Sequence, residues 1–177
     1  MKKLKLDELN RHSISEYKSI EKIPVVVILD HVRSAHNVGA IFRTADAFLI
    51  KKIYLCGITA KPPHKEIHKS ALGATESVEW EYRESIHKLV KELKTNYTLI
   101  SIEQTEASKK LDEFHIKHSK NYALVFGNEV DGVSQEVINQ SDECIEITQY
   151  GTKHSLNISV CAGIVMNYFC IEIKKPR

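Results

Sequence analysis

Three stretches of this 177-residue chain place polar side chains where packing alone would favour apolar ones. The first runs Asp30-His31-Val32-Arg33-Ser34-Ala35-His36-Asn37 and continues to Gly39, Arg43 and Thr44. Asn37 suits a helix cap, accepting from a free backbone N–H. Arg43 falls two turns into a helical pattern among apolar neighbours, where a guanidinium needs an anionic partner. Taken alone, this stretch supports a structural and a functional reading equally. The second stretch is Gly127-Asn128-Glu129-Val130-Asp131-Gly132-Val133-Ser134. Its glycine spacing is that of a phosphate loop, but Val133 stands where that motif has lysine, and Glu129 and Asp131 would repel phosphates. The two glycines instead let backbone amides approach a flat, weakly charged ligand, with a tight acidic turn as the structural alternative. The third stretch runs from Ile147 through Gly151 to Ser155-Leu156-Asn157-Ile158-Ser159. Ser155 suits an N-cap, which puts Asn157 and Ser159 in the first helical turn, well placed to face a ligand. Glu103-Gln104-Thr105 is a fourth and weaker candidate.

Alternating elements position these stretches. Residues 25–29 (VVVIL) read as a strand buried on both faces. Val38, Ile41, Phe42, Ala45 and Leu49 recur at helical spacing, predicting a helix over 37–48. Strands are predicted at 53–56, near 78–82, and at 97–102, 122–126 and 144–147, with helices over 85–94 and 134–139 and a polar loop after the second strand. The closing helix, predicted over 155–170, is apolar almost all round. Strand and helix in alternation argue for an α/β fold with a parallel sheet, whose ligands bind at the carboxyl ends of the strands. All four candidate stretches fall at that edge. Residues 1–22 read as a basic, helical arm, 23–173 as the catalytic-type domain, and 174–177 as a short basic tail.

Composition sets the limits. The chain has 25 Lys/Arg against 23 Asp/Glu, so a polyanion partner must be met by local patches rather than by net charge. At 42% hydrophobic and 27% charged it is ordinary for a globular domain, which excludes a disordered chain. The N-terminal residues show no secretory pattern, and the apolar run 158–171 is too short for a membrane span and is broken by Ser159 and Asn167. Cys56, Cys144, Cys161 and Cys170 lack CxxC spacing, so four buried thiols in a reducing, cytoplasmic setting are expected. His64 and His68 have helical metal-ligand spacing but no third ligand, and no metal is expected. No GxGxxG follows a strand, which disfavours a dinucleotide or flavodoxin-like enzyme.

Together, Asn37-x5-Arg43-Thr44, Gly127-x-Glu129-x-x-Gly132 and Ser155-Leu156-Asn157-Ile158-Ser159 resemble the three ordered motifs of the SpoU/TrmH family. These are 2′-O-ribose RNA methyltransferases of the SPOUT superfamily. The likeness extends from about Val25 to Tyr168 and is strongest in HNVGAIFRTADAF. In one departure, Ile147-Thr148-Gln149-Tyr150-Gly151 stands where the family usually has Ile-Pro-Met-x-Gly.

The resemblance implies a parallel-sheet SPOUT fold with a C-terminal deep trefoil knot, a homodimer joined through the closing helix, and S-adenosylmethionine as cofactor. It implies that Thr105, Gly127, Ile147, Leu156 and Ser155 hold that cofactor, and that Arg43, Asn37, Glu129, Ser155 and Asn157 form the catalytic set. Because an arginine side chain keeps its proton at ordinary pH, Arg43 is expected to grip phosphate and stabilise a developing alkoxide, with Glu129 pairing its guanidinium. RNA is expected on Arg33 and on a cationic run holding Lys51, Lys61, Lys65 and Lys69, with tRNA favoured over rRNA and no membrane partner. A non-catalytic RNA-binding factor that keeps the fold is the rival reading.

Overall fold

The computed structural model describes every residue except Leu6 and Arg177. Its frame is a seven-stranded sheet in which every strand pairing is parallel. The strands are β1 (Ile23–Asp30), β2 (Ile50–Cys56), β3 (Trp80–Arg83), β4 (Thr98–Ile102), β5 (Lys109–Lys110), β6 (Tyr122–Phe126) and β7 (Glu143–Glu146), in the order β3-β2-β1-β6-β4-β7-β5. The chain thus builds outward from β1 in one direction, then fills the other side with β4, β6 and β7. A ligand crevice forms where strand order reverses in this way.

Burial on both faces explains the β-branched run of β1. Val25, Val27 and Leu29 pack into one apolar cluster, and Val26 and Ile28 into the other. The first cluster is completed by α2 (Ala35–Ala47), α3 (Lys65–Ala71), α4 (Ala74–Ser77) and α7 (Ile158–Lys174), and the second by α5 (Ile86–Leu93) and α6 (Gln135–Ile138). Helices therefore cover both faces, as alternation predicts.

The arm holds α1 (Ile14–Ser19), whose capping box pairs Ser13 with Glu16 and whose Tyr17 is buried in the first cluster. The predicted polar loop after β2 instead contains α3 and α4. His64 caps α3, its Nδ1 accepting from the Glu66 N–H at 3.2 Å. A helix of seven residues with only Ile67 and Ala71 buried shows too little periodicity to stand out in sequence.

Three boundaries differ from expectation for local reasons. Ser34 caps α2 by accepting from the Asn37 N–H, so Asn37 is in the first turn and its side chain is free for other partners. The closing helix begins at Ile158 and not at Ser155, because Asn157 accepts from the Ser159 N–H and is the cap. It also runs on to Lys174, with Ile173 still packed against the first cluster. Among the described residues, no helix is long and apolar enough to cross a membrane.

Candidate active site

A cleft of about 510 Å³ opens at the carboxyl ends of β4, β6 and β7. That is room for a cofactor of nucleoside size. Gly127, Glu129, Ile147, Ser155, Leu156 and Asn157, six of the residues singled out from sequence, line it together. Thr105 does not. It borders an adjoining concavity with Cys144, and its place in the cleft wall is taken by Glu103 and Gln104.

The glycines make the cleft possible. A Cβ on Gly127 would lie 1.9 Å from the carbonyl carbon of Gly132, inside the turn that closes on it. Gly132 has φ +66°, and a Cβ there would lie 2.1 Å from Glu103 Oε2. That carboxylate accepts from the Val133 N–H at 2.9 Å, strapping the turn to the end of β4.

A relay of side chains joins the three polar stretches. Asn157 Nδ2 donates to Asn37 Oδ1 at 3.3 Å, and Asn37 Nδ2 reaches Glu129 Oε1 at 3.5 Å. Glu129 also accepts from the N–H groups of Arg33 and Ser34, at 3.3 and 3.2 Å. Burial alone pushes the Glu129 carboxyl up. The backbone donors of its own residue, Arg33 and Ser34, together with Asn37, outweigh that and hold it below the usual carboxylate range. Glu129 therefore anchors the loop between β1 and α2. It does not pair with Arg43, as the sequence reading expected.

Arg43 itself is exposed and makes no ion pair among the described residues. The helical stripe that buries Ile41, Phe42 and Ala45 leaves position 43 on the outer side of α2, so no buried charge needs neutralising. It lies six positions beyond Asn37, about 9 Å along the helix axis. It does not line the cleft.

The expected cationic run is divided. Arg33, Lys61, Lys65 and Lys69 follow the carboxyl ends of β1 and β2, on the edge that carries the cleft, and Lys61 lies 3.9 Å from the centroid of the Tyr82 ring. Lys51 lies at the opposite edge, where β2 begins, beside Lys18 and Lys22. Lys52 is spent on Glu79 and Glu81, each at 2.9 Å.

Charge inside the cleft is mostly negative. Glu103, Glu129, Asp131 and Glu146 line it, against His154 as the only basic residue type among the described residues. Burial, reinforced by the charge of Glu103, pushes the Cys161 thiol up to about 11, so the cleft wall presents a thiol and not a thiolate at neutral pH. Glu103 and Gln104 are the site residues that sequence patterning undervalued. Their signal was position alone, directly after a strand at the ligand edge.

A profile of the SpoU rRNA methylase family matches residues 24–167. The chain belongs to this family. The 23S rRNA (guanosine-2'-O-)-methyltransferase RlmB of Neisseria meningitidis serogroup B is 31% identical over 150 residues, 85% of this chain and 59% of that protein. The tRNA (guanosine(18)-2'-O)-methyltransferase of Aquifex aeolicus is 34% identical over 145 residues, 80% of this chain and 66% of that one. The crystal structure of an A. aeolicus TrmH/SpoU tRNA modifying enzyme superposes with a TM-score of 0.77 at 26% identity, covering 90% of this chain and 81% of that chain. This SpoU-family chain spans about three fifths of the length of the first curated relatives it matches. The α/β parallel sheet read from sequence is the fold of these relatives.

Proposed function

We propose that this chain is an S-adenosylmethionine-dependent methyltransferase acting on a ribose 2′-hydroxyl of structured RNA, with tRNA favoured over rRNA. The observation that carries the reading is the relay Asn157–Asn37–Glu129, which draws all three family motifs onto the rim of one cleft. Both named relatives act on guanosine by their descriptions, which makes guanosine the first nucleotide to examine.

The cleft fits the cofactor on two counts. At Gly127 and Gly132 the turn has no room for a side chain, so at those two positions it offers backbone groups to a flat ring. The acidic wall suits a sulfonium cation, and it repels RNA phosphates, which keeps the nucleic acid at the rim. Gly127, Ile147, Ser155 and Leu156 would hold the cofactor, with Thr105 acting from behind the wall. When bound, S-adenosylmethionine supplies an electrophilic methyl group. The protein must align a ribose oxygen with it and help the hydroxyl lose its proton. Arg43, exposed and without an ion pair among the described residues, grips the target phosphate and stabilises the developing alkoxide, and the proton leaves to phosphate or water. Asn37, Glu129, Ser155 and Asn157 orient the ribose. Cys161, kept protonated, does not compete for the methyl group.

Arg33, Lys61, Lys65 and Lys69 supply phosphate contacts on the cleft edge, and Lys51 belongs to a separate contact at the far edge. Arg43 lies outside the cleft of its own chain, which supports a site shared between two copies. The face of α7 carrying Val160, Ile164 and Ile171, 51%, 40% and 50% exposed, is the surface on which a second copy would sit. The reading includes a trefoil knot formed by the segment from β7 into α7, residues 1–22 as an RNA-contacting arm, and a cytoplasmic location.

The test is incubation with methyl-labelled S-adenosylmethionine and unmodified tRNA or rRNA, alongside Arg43→Ala, followed by digestion to nucleosides. Label in a 2′-O-methylnucleoside, lost in the variant, supports the proposal and identifies the RNA. A protein that binds RNA but no cofactor would overturn it in favour of a non-catalytic factor.

A further inference from the structure

We propose that Gln104 is a positioning residue, the latch that holds the loop between β7 and α7 against the cofactor cleft. The inference rests on the methyltransferase reading above. This loop supplies Gln149, His154, Ser155 and Leu156 to the cleft wall, yet residues 150–157 are all exposed. It has no helix or strand of its own. Among the described residues, one hydrogen bond reaches residues 148–156: Gln104 Nε2 donates to the carbonyl oxygen of His154 at 2.8 Å.

The other end of that bond is firmly set. Gln104 is the second residue beyond β4, and its own N–H donates to Glu103 Oε1 at 2.9 Å. The second oxygen of Glu103 holds the Val133 N–H, and so the turn forming the facing wall. Glu103 and Gln104 thus brace both sides of the cleft from one strand end. The turn side is fixed by close backbone packing around Gly127 and Gly132, whereas the loop side depends on one side-chain donor.

A segment with so few ties opens at low free energy, as loops that admit ligands must. Closing it brings His154, Ser155 and Leu156 against the cofactor and presents Asn157 to Asn37. Opening it provides a route for cofactor entry and product release.

Gln104→Glu keeps the shape but cannot donate to a carbonyl, Gln104→Met removes the donor without adding charge, and Gln104→Lys keeps a donor. The two donor-free variants should bind S-adenosylhomocysteine about fivefold more weakly, the effect of losing one neutral hydrogen bond, mainly through faster dissociation. Their KM for S-adenosylmethionine should rise with kcat at saturation unchanged. Tryptic cleavage after the exposed Lys153 should quicken in the cofactor-free protein while the thermal midpoint stays put, and Gln104→Lys should restore binding. Wild-type affinity and cleavage rate in the Glu and Met variants would overturn the latch. So would a parallel loss of thermal midpoint and kcat that lysine does not restore, which marks plain structural support. A wild-type protein that binds neither cofactor nor product overturns the methyltransferase reading itself, a result distinct from either.

Discussion

Asn157 donates to Asn37 across 3.3 Å, joining the cap of the last helix to the first turn of α2, 120 residues earlier. Each asparagine is committed at both ends. Asn157 Oδ1 accepts from the N–H and hydroxyl of Ser159, at 2.9 and 2.6 Å, and Asn37 Nδ2 points to Glu129. The amides cannot turn over without breaking bonds on both sides. Orientation is thereby passed from a helix cap to a carboxylate that holds the loop before α2.

Replacing Asn157 by Asp separates its two tasks. Aspartate caps a helix as well as asparagine does, so α7 keeps its start and the thermal midpoint stays near wild type. It cannot donate to Asn37, and the relay breaks. Methyl transfer should fall about tenfold, the equivalent of one lost hydrogen bond of roughly 1.4 kcal/mol. Single-turnover rates measured beside thermal denaturation would show whether activity drops alone. Equal loss in both would mean that the relay matters only for folding.

Gly39→Ala tests the packing that seats α2. A Cβ there would lie 2.0 Å from Ser70 Oγ and 2.6 Å from the Ile67 carbonyl oxygen, so α2 and α3 would have to move apart. Overpacking of this kind costs about 1–3 kcal/mol and should lower the thermal midpoint by several degrees. Gly151→Ala is the control, since nothing lies within 4 Å of its added carbon. A midpoint unchanged in Gly39→Ala would show that the helices separate freely.

Local patterns were legible and long-range choices were not. The run Val25 to Leu29 announced a doubly buried strand because alternate residues must each meet an apolar face. The periodicity of α2 was plain, yet it suggested a buried Arg43. The stripe in fact passes it on the opposite side of the helix, through Ile41, Phe42 and Ala45, leaving the guanidinium exposed. Nothing local says that Glu129 serves the N–H groups of Arg33 and Ser34, about 95 residues away, and not the nearest arginine by role. Ser155 and Asn157 are equally good caps by type. Asn157 became the cap through its bonds to Ser159. Within Glu103-Gln104-Thr105 the family resemblance points to Thr105, whereas Glu103, packed on the turn at Gly132, and Gln104 are the two that line the cleft.

Acid should act through Glu129. Its carboxyl is held below the ordinary value of 4.5, so its ionised form binds better in the folded protein than in the unfolded chain. That stabilisation is fully present above pH 4.5 and is lost as pH falls through the depressed folded value. Glu129→Gln lacks it at every pH. The difference in thermal midpoint between wild type and variant should therefore be largest near neutrality and shrink below about pH 4.5. A difference that persists undiminished at pH 3 would show that the carboxylate charge is not what holds the loop.

The outer stripe of α7 makes the last prediction. Val160, Ile164 and Ile171 recur at helical spacing on its exposed side, with Leu156 at 37% exposure just before the helix begins. A lone exposed aliphatic is ordinary, but three on one face of a helix already packed through Ile158, Ala162, Val165, Met166 and Phe169 form a second apolar side. If two copies meet there, sedimentation equilibrium should give twice the chain mass, and Ile164→Asp, which buries a charge in the contact, should give the monomer. The inner face of α7 is untouched by that change, so the monomer should keep its fold by circular dichroism and its cleft for S-adenosylhomocysteine. With Arg43 on the outer side of the neighbouring helix, the same variant should lose methyl transfer. A monomeric wild type with full activity would place the whole reaction within one chain, and Arg43 would then have to reach the RNA from the outer side of α2 unaided.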